Sequence, residues 1–486
     1  MRELVGGSDF FAFPMPSPDG QRLAWIAWDH PRMPWDGTVL RVADFGSDGS
    51  VGPGADVLGG PTESVLQPEW ADADSLYALT DATGWWNPVR IDLSVGEPTV
   101  TPLCPRAEEF AGPLWQLGMR WYAVLADGRL MCTVGTDTTR LGALNPANGE
   151  LTDIATELTA WSPAMGTDGT RLVAVAGSPE VARAVVLVDP DTSRVTRIPR
   201  NSHGPTLDET YLPQPYAMTA ASSNGRRVHA NVYPPRNPDA VGPAGQPPPY
   251  LAIVHGGPTS HSPMVRNLAV AYWTSRGLGV VDVNYGGSTG YGRAYRESLR
   301  EQWGVVDVED TVAAVRSLVE AGLADADRLA IRGGSAGGWT VLSALTRTDT
   351  FAAGTSYYGV AELERFAADT HDFESRYLDG LVGPLPVQRR RYVERAPVTN
   401  VATLSSPVLL LQGDEDRVVP PSQSELFRDA IAARGIPHAY LLFAGEEHGF
   451  RRENTNVTAL EAELSFYGQV LGFDTPGIPH LELTRP

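Results

Sequence analysis

Two pentapeptides place a serine between glycines: Gly286-Gly287-Ser288-Thr289-Gly290 and Gly333-Gly334-Ser335-Ala336-Gly337. A serine hydroxyl becomes an acyl-transfer nucleophile when a histidine takes its proton and a carboxylate holds that histidine in one tautomer. The motif can present its serine only where a strand runs into a sharp turn and then a helix. Ser335 lies between the strand-like run Arg328-Leu329-Ala330-Ile331 and a helix-like stretch from Ala336 to Arg347. Ser288 is followed by Gly290, Tyr291 and Gly292, which resist helix formation. Ser335 is the predicted nucleophile, and Ser288 is given a structural role in a glycine-rich turn. Gly333 and Gly337 are expected because side chains there would strike adjacent backbone in the strained turn.

The order of elements supports the same choice. His255-Gly256-Gly257-Pro258 follows the apolar run Leu251–Val254, a second run follows at Gly279–Asn284, and the third feeds Ser335. A loop that stabilises an oxyanion comes two strands before the nucleophile in such folds, so Ser288 is one strand too early. The two oxyanion donors are predicted to be the backbone N–H groups of Ala336 and Gly257. Two are needed because the developing alkoxide is otherwise unsolvated.

The base must follow the acid, and both must follow the serine. Of His371, His438, His448 and His480, only His448 lies in a loop just beyond a strand, Ala439–Phe443, after the carboxylate-rich turn. Loops beyond strand ends are where chemistry is placed in open α/β sheets. His448 is the predicted base. Asp414, Glu415 and Asp416 all follow the strand-like Val408–Leu411, and spacing alone does not choose among them.

These groups need a frame. From about residue 206, strands alternate with helices. Residues 265–276 read as helical, and Val308, Val312, Val315 and Val319 give 305–321 an amphipathic period ended by Gly322. Residues 422–434 are a further helix. This succession implies a mainly parallel sheet with helices on both faces, an α/β-hydrolase catalytic domain over 206–486.

Residues 1–205 read differently. They hold nine of the twelve tryptophans and many short alternating runs, among them Thr38–Val42 and Ala184–Val188. Prolines 14, 68, 113 and 163 each lead into a similar strand-like run, in steps of 54, 45 and 50 residues. That period suits four-stranded blades, so an all-β, propeller-like domain of about four repeats is expected, with a β-sandwich as the alternative.

Composition excludes several classes. The net charge of −20, with all 38 basic residues arginine, argues against nucleic acid as a partner. Arg389-Arg390-Arg391 reads as a solvated face. No apolar run has the 18 or more residues of a membrane span, and the start lacks the apolar segment of a secretion signal. Cys104 and Cys132 have neither metal-ligand nor redox spacing, so no metal or cofactor is expected, and a cytoplasmic setting fits.

Five ordered motifs carry a more specific likeness: His255–Pro258, Asn284–Gly292, the Ser335 turn, Asp416-Arg417-Val418-Val419-Pro420 and His448-Gly449-Phe450. Together they resemble the prolyl oligopeptidase family of serine peptidases, particularly its acylaminoacyl-peptidase and dipeptidyl-peptidase-like bacterial branch. The resemblance implies that the acid immediately precedes the Arg-Val pair, which selects Asp416. It also implies an acyl-side pocket drawing on His255, Tyr358, Phe373 and Tyr377, with core packing as the alternative for the last two. An N-terminal propeller admitting small peptides is implied as well, of about seven or eight blades. Four repeats are fewer, so the sequence is expected to be the later part of a longer propeller, with a closed four-bladed ring as the alternative.

The expected activity is hydrolysis of short peptides or N-blocked aminoacyl peptides through an acyl-enzyme. Carboxylesterase-type hydrolysis and an inactive or binding-only product of a truncated gene are the alternatives.

Overall fold

Short alternating runs joined by tight turns cannot bury an apolar face alone, so they pair into antiparallel ladders. In a computed structural model, which describes residues 3–198 and 208–485, the residues before 206 with 263–266 and 289–296 form one compact unit. The remainder forms a second. The predicted boundary at 205/206, and Met1 and Arg2, lie outside the described residues.

Among the described residues, the first unit has four antiparallel sheets of consecutive strands, beginning at Phe10–Pro16, Val65–Trp70, Tyr122–Val124 and Ala160–Trp161. The aligning proline has a structural cause in the first two. Pro14 and Pro68 sit where pairing shifts register, between Ala12 and Met15 and between Leu66 and Glu69. The preceding Phe13 and Gln67 take φ of 53° and 46°. A bulge is where a strand tolerates a residue without an N–H. In the fourth sheet Pro163 falls in the gap between Ala160–Trp161 and Gly166–Thr167, both paired with Leu172–Gly177. Pro113 precedes its first strand in an irregular stretch.

Neighbouring sheets share their apolar faces: Met131, Leu141 and Ala143 of the third pack in one buried cluster with Leu172, Ala174 and Val186 of the fourth. A buried ion cluster lies in the same unit. Asp81 accepts from Arg293 and Arg296, each at 2.6 Å. Glu109 accepts from the N–H groups of Trp86 and Gly292, yet burial pushes its pKa up to about 7.

The second unit is built on one eight-stranded sheet. Its spatial order is Tyr216–Ala221, Arg227–Tyr233, Gly279–Asn284, Tyr250–Val254, Leu329–Gly334, Ala353–Tyr357, Val408–Gly413 and His438–Phe443. The first two strands pair antiparallel and the other six run parallel. Successive strand residues face opposite sides. A Cβ on Gly354 would touch Leu345 and Val341 of the helix Ala336–Arg347, whereas Thr355 bonds Tyr467 of the helix Glu453–Leu471. Both faces are therefore covered.

Helix ends follow their local chemistry. The predicted 265–276 helix is Leu268–Thr274, because Asn267 caps it by accepting from the Ala269 N–H. The helix Val306–Glu320 ends before Gly322, which takes φ +71°. Among the described residues, no helix is long and apolar enough to cross a membrane.

Beneath the strand that leads to Ser335 lies a buried polar network. Glu463, fully buried, accepts from Tyr357 Oη at 2.7 Å and Tyr467 Oη at 2.8 Å, and lies 3.3 Å from Arg332 Nε. Glu463→Ala is expected to destabilise the protein by about 3–5 kcal/mol, since it strands the Arg332 cation. Urea unfolding followed by tryptophan fluorescence measures it. A loss under about 1 kcal/mol would contradict this view of the network.

Candidate active site

Parallel strands release their chains at one edge of a sheet, and loops there can converge without disturbing the ladder. His255 follows Val254, Ser335 follows Gly334, Tyr358 follows Tyr357, and Asp416 and His448 lie just beyond Gly413 and Phe443. All five residues are at that edge.

Ser335 has φ 57° and ψ −121° between its strand and the helix Ala336–Arg347. A β-carbon-bearing residue is rare there, and strain of this kind presents a side chain above the sheet. The neighbouring glycines have a measurable cause. A Cβ on Gly333 would lie 2.5 Å from the Gly337 backbone, and one on Gly337 would lie 2.1 Å from the Val254 carbonyl oxygen. The turn is pinned by the Ser335 N–H donating to the Tyr357 carbonyl at 3.0 Å. Ser335 Oγ makes no hydrogen bond among the described residues.

Ser288 is placed very differently. It is fully buried, and its hydroxyl lies 2.7 Å from His255 Nε2. His255 Nδ1 lies 2.8 Å from the Gly256 carbonyl, which can only accept, so Nδ1 carries the proton and Ser288 donates to Nε2. Burial lowers the His255 pKa to about 4, and the ring stacks on Tyr285 at 4.4 Å. His255 is thus a neutral strut under its own loop.

Of the three candidate acids, one reaches the base. Asp416 Oδ2 lies 2.8 Å from His448 Nδ1, and its Oδ1 accepts from the N–H groups of Val418 and Val419, each at 2.9 Å. Asp414 is exposed and accepts from the Gly445 N–H, while Glu415 points to solvent. Gln412, not singled out from sequence, adds a contact of 3.4 Å to Asp416 Oδ2 and accepts from Ser424.

The oxyanion candidates flank the serine. Ala336 is the first residue of its helix, where an N–H has no intrahelical acceptor. Gly257 has φ +120° in the loop beside it, and a Cβ on the adjacent Gly256 would lie 3.5 Å from Ser335 Cβ.

The proposed pocket residues divide. Tyr358 is half-buried with φ 38°; its ring is 4.7 Å from that of His448 and borders the Cβ position of Gly334. It therefore bridges the nucleophile turn and the base. Phe373 is half-buried, with its ring parallel to that of His371 at 6.5 Å. Tyr377 is buried, and its hydroxyl bonds Thr259 Oγ1 at 2.6 Å and the Thr259 N–H at 3.2 Å. It ties the segment 371–377 to the loop that carries Gly257.

Residues 263–474 match the model of the prolyl oligopeptidase family. A puromycin-hydrolysing peptidase of Mycobacterium tuberculosis is 52% identical and superposes with a TM-score of 0.96, over 99% of this chain and 73% of that one. The chain belongs to the prolyl oligopeptidase family. Within it, dipeptidyl aminopeptidase BIII of Pseudoxanthomonas mexicana is 30% identical over 276 residues, 55% of this chain and 40% of that protein. The acylamino-acid-releasing enzyme of Arabidopsis thaliana is 29% identical over 219 residues, 43% of this chain and 28% of that enzyme. The chain thus spans less than half the length of these curated relatives. Prolyl oligopeptidase B of Galerina marginata shares the family fold at 18% identity and a TM-score of 0.79.

Proposed function

We propose that this chain is a serine peptidase that cleaves short peptides and aminoacyl amides through an acyl-enzyme intermediate. The observation that carries the proposal is the Asp416–His448 hydrogen bond at the same sheet edge as the strained Ser335 turn. His448 Nε2 removes the proton as Ser335 Oγ attacks the scissile carbonyl. Asp416 holds Nδ1–H and stabilises the imidazolium that forms. The N–H groups of Ala336 and Gly257 receive the oxyanion, and His448 returns its proton to the leaving amine. Water then enters by the same route in reverse and releases the acid.

Acyl transfer by this path draws on no cofactor. The 52% identity to a puromycin-hydrolysing peptidase supports puromycin-type compounds among the substrates. Similarity to acylamino-acid-releasing enzymes supports N-blocked peptides as a second group. Cys104 and Cys132 are both buried free thiols, which suits a reducing cytoplasm.

The test is a panel of aminoacyl-naphthylamides, N-acetylated counterparts and short acyl esters. Cleavage of at least one amide class is expected. Turnover of esters alone would overturn the peptidase reading in favour of a carboxylesterase.

A further inference from the structure

The serine set aside as nucleophile has one polar partner. Among the described residues, the Ser288 hydroxyl bonds His255 Nε2 alone, at 2.7 Å, and Ser288 is fully buried. Its turn is pinned by backbone. The Ser288 N–H donates to the Tyr285 carbonyl at 2.9 Å, and the Gly286 N–H donates to Asp310 Oδ2 at 2.7 Å. Asp310 in turn accepts from Arg226 Nε at 3.0 Å.

The other ring nitrogen of His255 reaches the oxyanion loop. Nδ1–H donates to the Gly256 carbonyl at 2.8 Å, while Tyr285 Oη, 3.4 Å from Nδ1, donates to the His255 carbonyl at 3.0 Å. A trans peptide is planar, and its C=O and N–H point in opposite directions. The Gly256 carbonyl and the Gly257 N–H share one such plane. Holding the carbonyl at the imidazole therefore directs the Gly257 N–H away from it. Glycines flank this peptide on both sides, so little else resists its rotation. Gly256 also backs onto the nucleophile turn: a Cβ there would lie 3.1 Å from the Gly334 carbonyl oxygen.

A neutral imidazole carries one proton, which can sit on either nitrogen. Burial lowers the His255 pKa to about 4, so the ring is neutral at pH 7. With the proton on Nε2, two acceptors would face each other across the 2.8 Å between Nδ1 and the Gly256 carbonyl, and the peptide would be released. A donor at Nε2 excludes that tautomer. The relation reverses that of Ser335 and His448: here the serine keeps its proton and fixes the histidine.

We infer that Ser288 is a positioning residue for the oxyanion step, donating to His255 Nε2 so that Nδ1–H holds the Gly256 carbonyl and aims the Gly257 N–H. The inference rests on the acyl-transfer reading above and adds a residue to it.

The test measures kcat and KM for alanyl-naphthylamide, N-acetylalanyl-naphthylamide and p-nitrophenyl acetate in the full chain, Ser288→Ala, His255→Phe and the double variant. Rates are normalised to sites titrated to completion with a fluorophosphonate, so that misfolded protein does not count. His255→Phe keeps a ring against Tyr285 and removes both nitrogens. It is expected to lower kcat about 100-fold with KM changed less than about threefold, as for an interaction made in the transition state. Ser288→Ala should lower kcat about 10-fold, and Ser288→Thr, which keeps the hydroxyl, should recover part of that. The double variant should be no slower than His255→Phe, because Ser288 acts through His255.

A loss in Ser288→Ala that falls on KM alone, or that multiplies with the His255→Phe loss in the double variant, would overturn the inference and leave the acyl-transfer reading standing. So would kcat values within about threefold of wild type in both single variants. A wild type that hydrolyses only the ester would overturn the peptidase reading instead, and the kcat values for that ester would decide the role of Ser288.

Discussion

His448→Ala is expected to lower kcat for amide cleavage by about 10⁶-fold while leaving the protein folded. Among the described residues, the imidazole is the only titratable group hydrogen-bonded to Asp416. Without it, the Ser335 hydroxyl must attack unaided, and the leaving amine must depart unprotonated. The ring is part-exposed, packed near Tyr358 at 4.7 Å, so its removal opens no large cavity. Residual rate over water should persist, since the Ala336 and Gly257 N–H groups remain. Single-turnover kinetics with an aminoacyl-naphthylamide, alongside a thermal melt, provides the check. A fall of less than about 100-fold would remove His448 from the role of base.

Asp416→Asn is expected to cost about 10⁴-fold in kcat, and the reason is directional. Two backbone N–H groups, of Val418 and Val419, donate to Oδ1. An asparagine must keep its carbonyl oxygen toward those donors, which turns its NH₂ toward His448 Nδ1. That nitrogen must then accept, so the proton moves to Nε2, where it blocks removal of the Ser335 proton. The defect is thus a wrong tautomer in an intact site. Asp414→Asn, at an exposed carboxylate bonded to the Gly445 N–H, should change kcat by less than about threefold, within the range of surface substitutions. Equal losses in the two variants would contradict the assignment of the acid.

The sequence made the α/β framework readable because most of its parallel strands are predominantly apolar and its helices periodic. The helix Ala336–Arg347 and the strand Gly279–Asn284 lie where the pattern puts them. The strand Ala353–Tyr357 was not foreseen: Ala-Gly-Thr-Ser-Tyr has little apolar character, and it is buried because its small and hydroxylated residues fit between helices. The hairpin Tyr216–Ala221 and Arg227–Tyr233 was also missed, though Asn224-Gly225 between two alternating runs is a turn signal.

At the site, chain order separated His448 from the other histidines, since one histidine alone followed both a strand and the acidic turn. Asp416 was different. Asp414, Glu415 and Asp416 are adjacent and chemically alike, and only the fold of the turn decides which carboxylate faces inward. Sequence could not display that direction; the family resemblance supplied it. Ser288 was set aside as a nucleophile by its place in the strand order, and it is fully buried. Its bond to His255 depends on two loops from different strands meeting, which no local pattern reveals.

The central claim, that Ser335 is the nucleophile, can be read by mass. The chain has no lysine, so trypsin cuts only after arginine and places Ser335 on residues 333–347 and Ser288 on residues 277–293. After reaction with a fluorophosphonate, the predicted result is one adduct per chain, on Ser335 of the first peptide, prevented by prior inhibition and absent in Ser335→Ala. An adduct on the second peptide, or persistence of labelling in Ser335→Ala, would contradict the account.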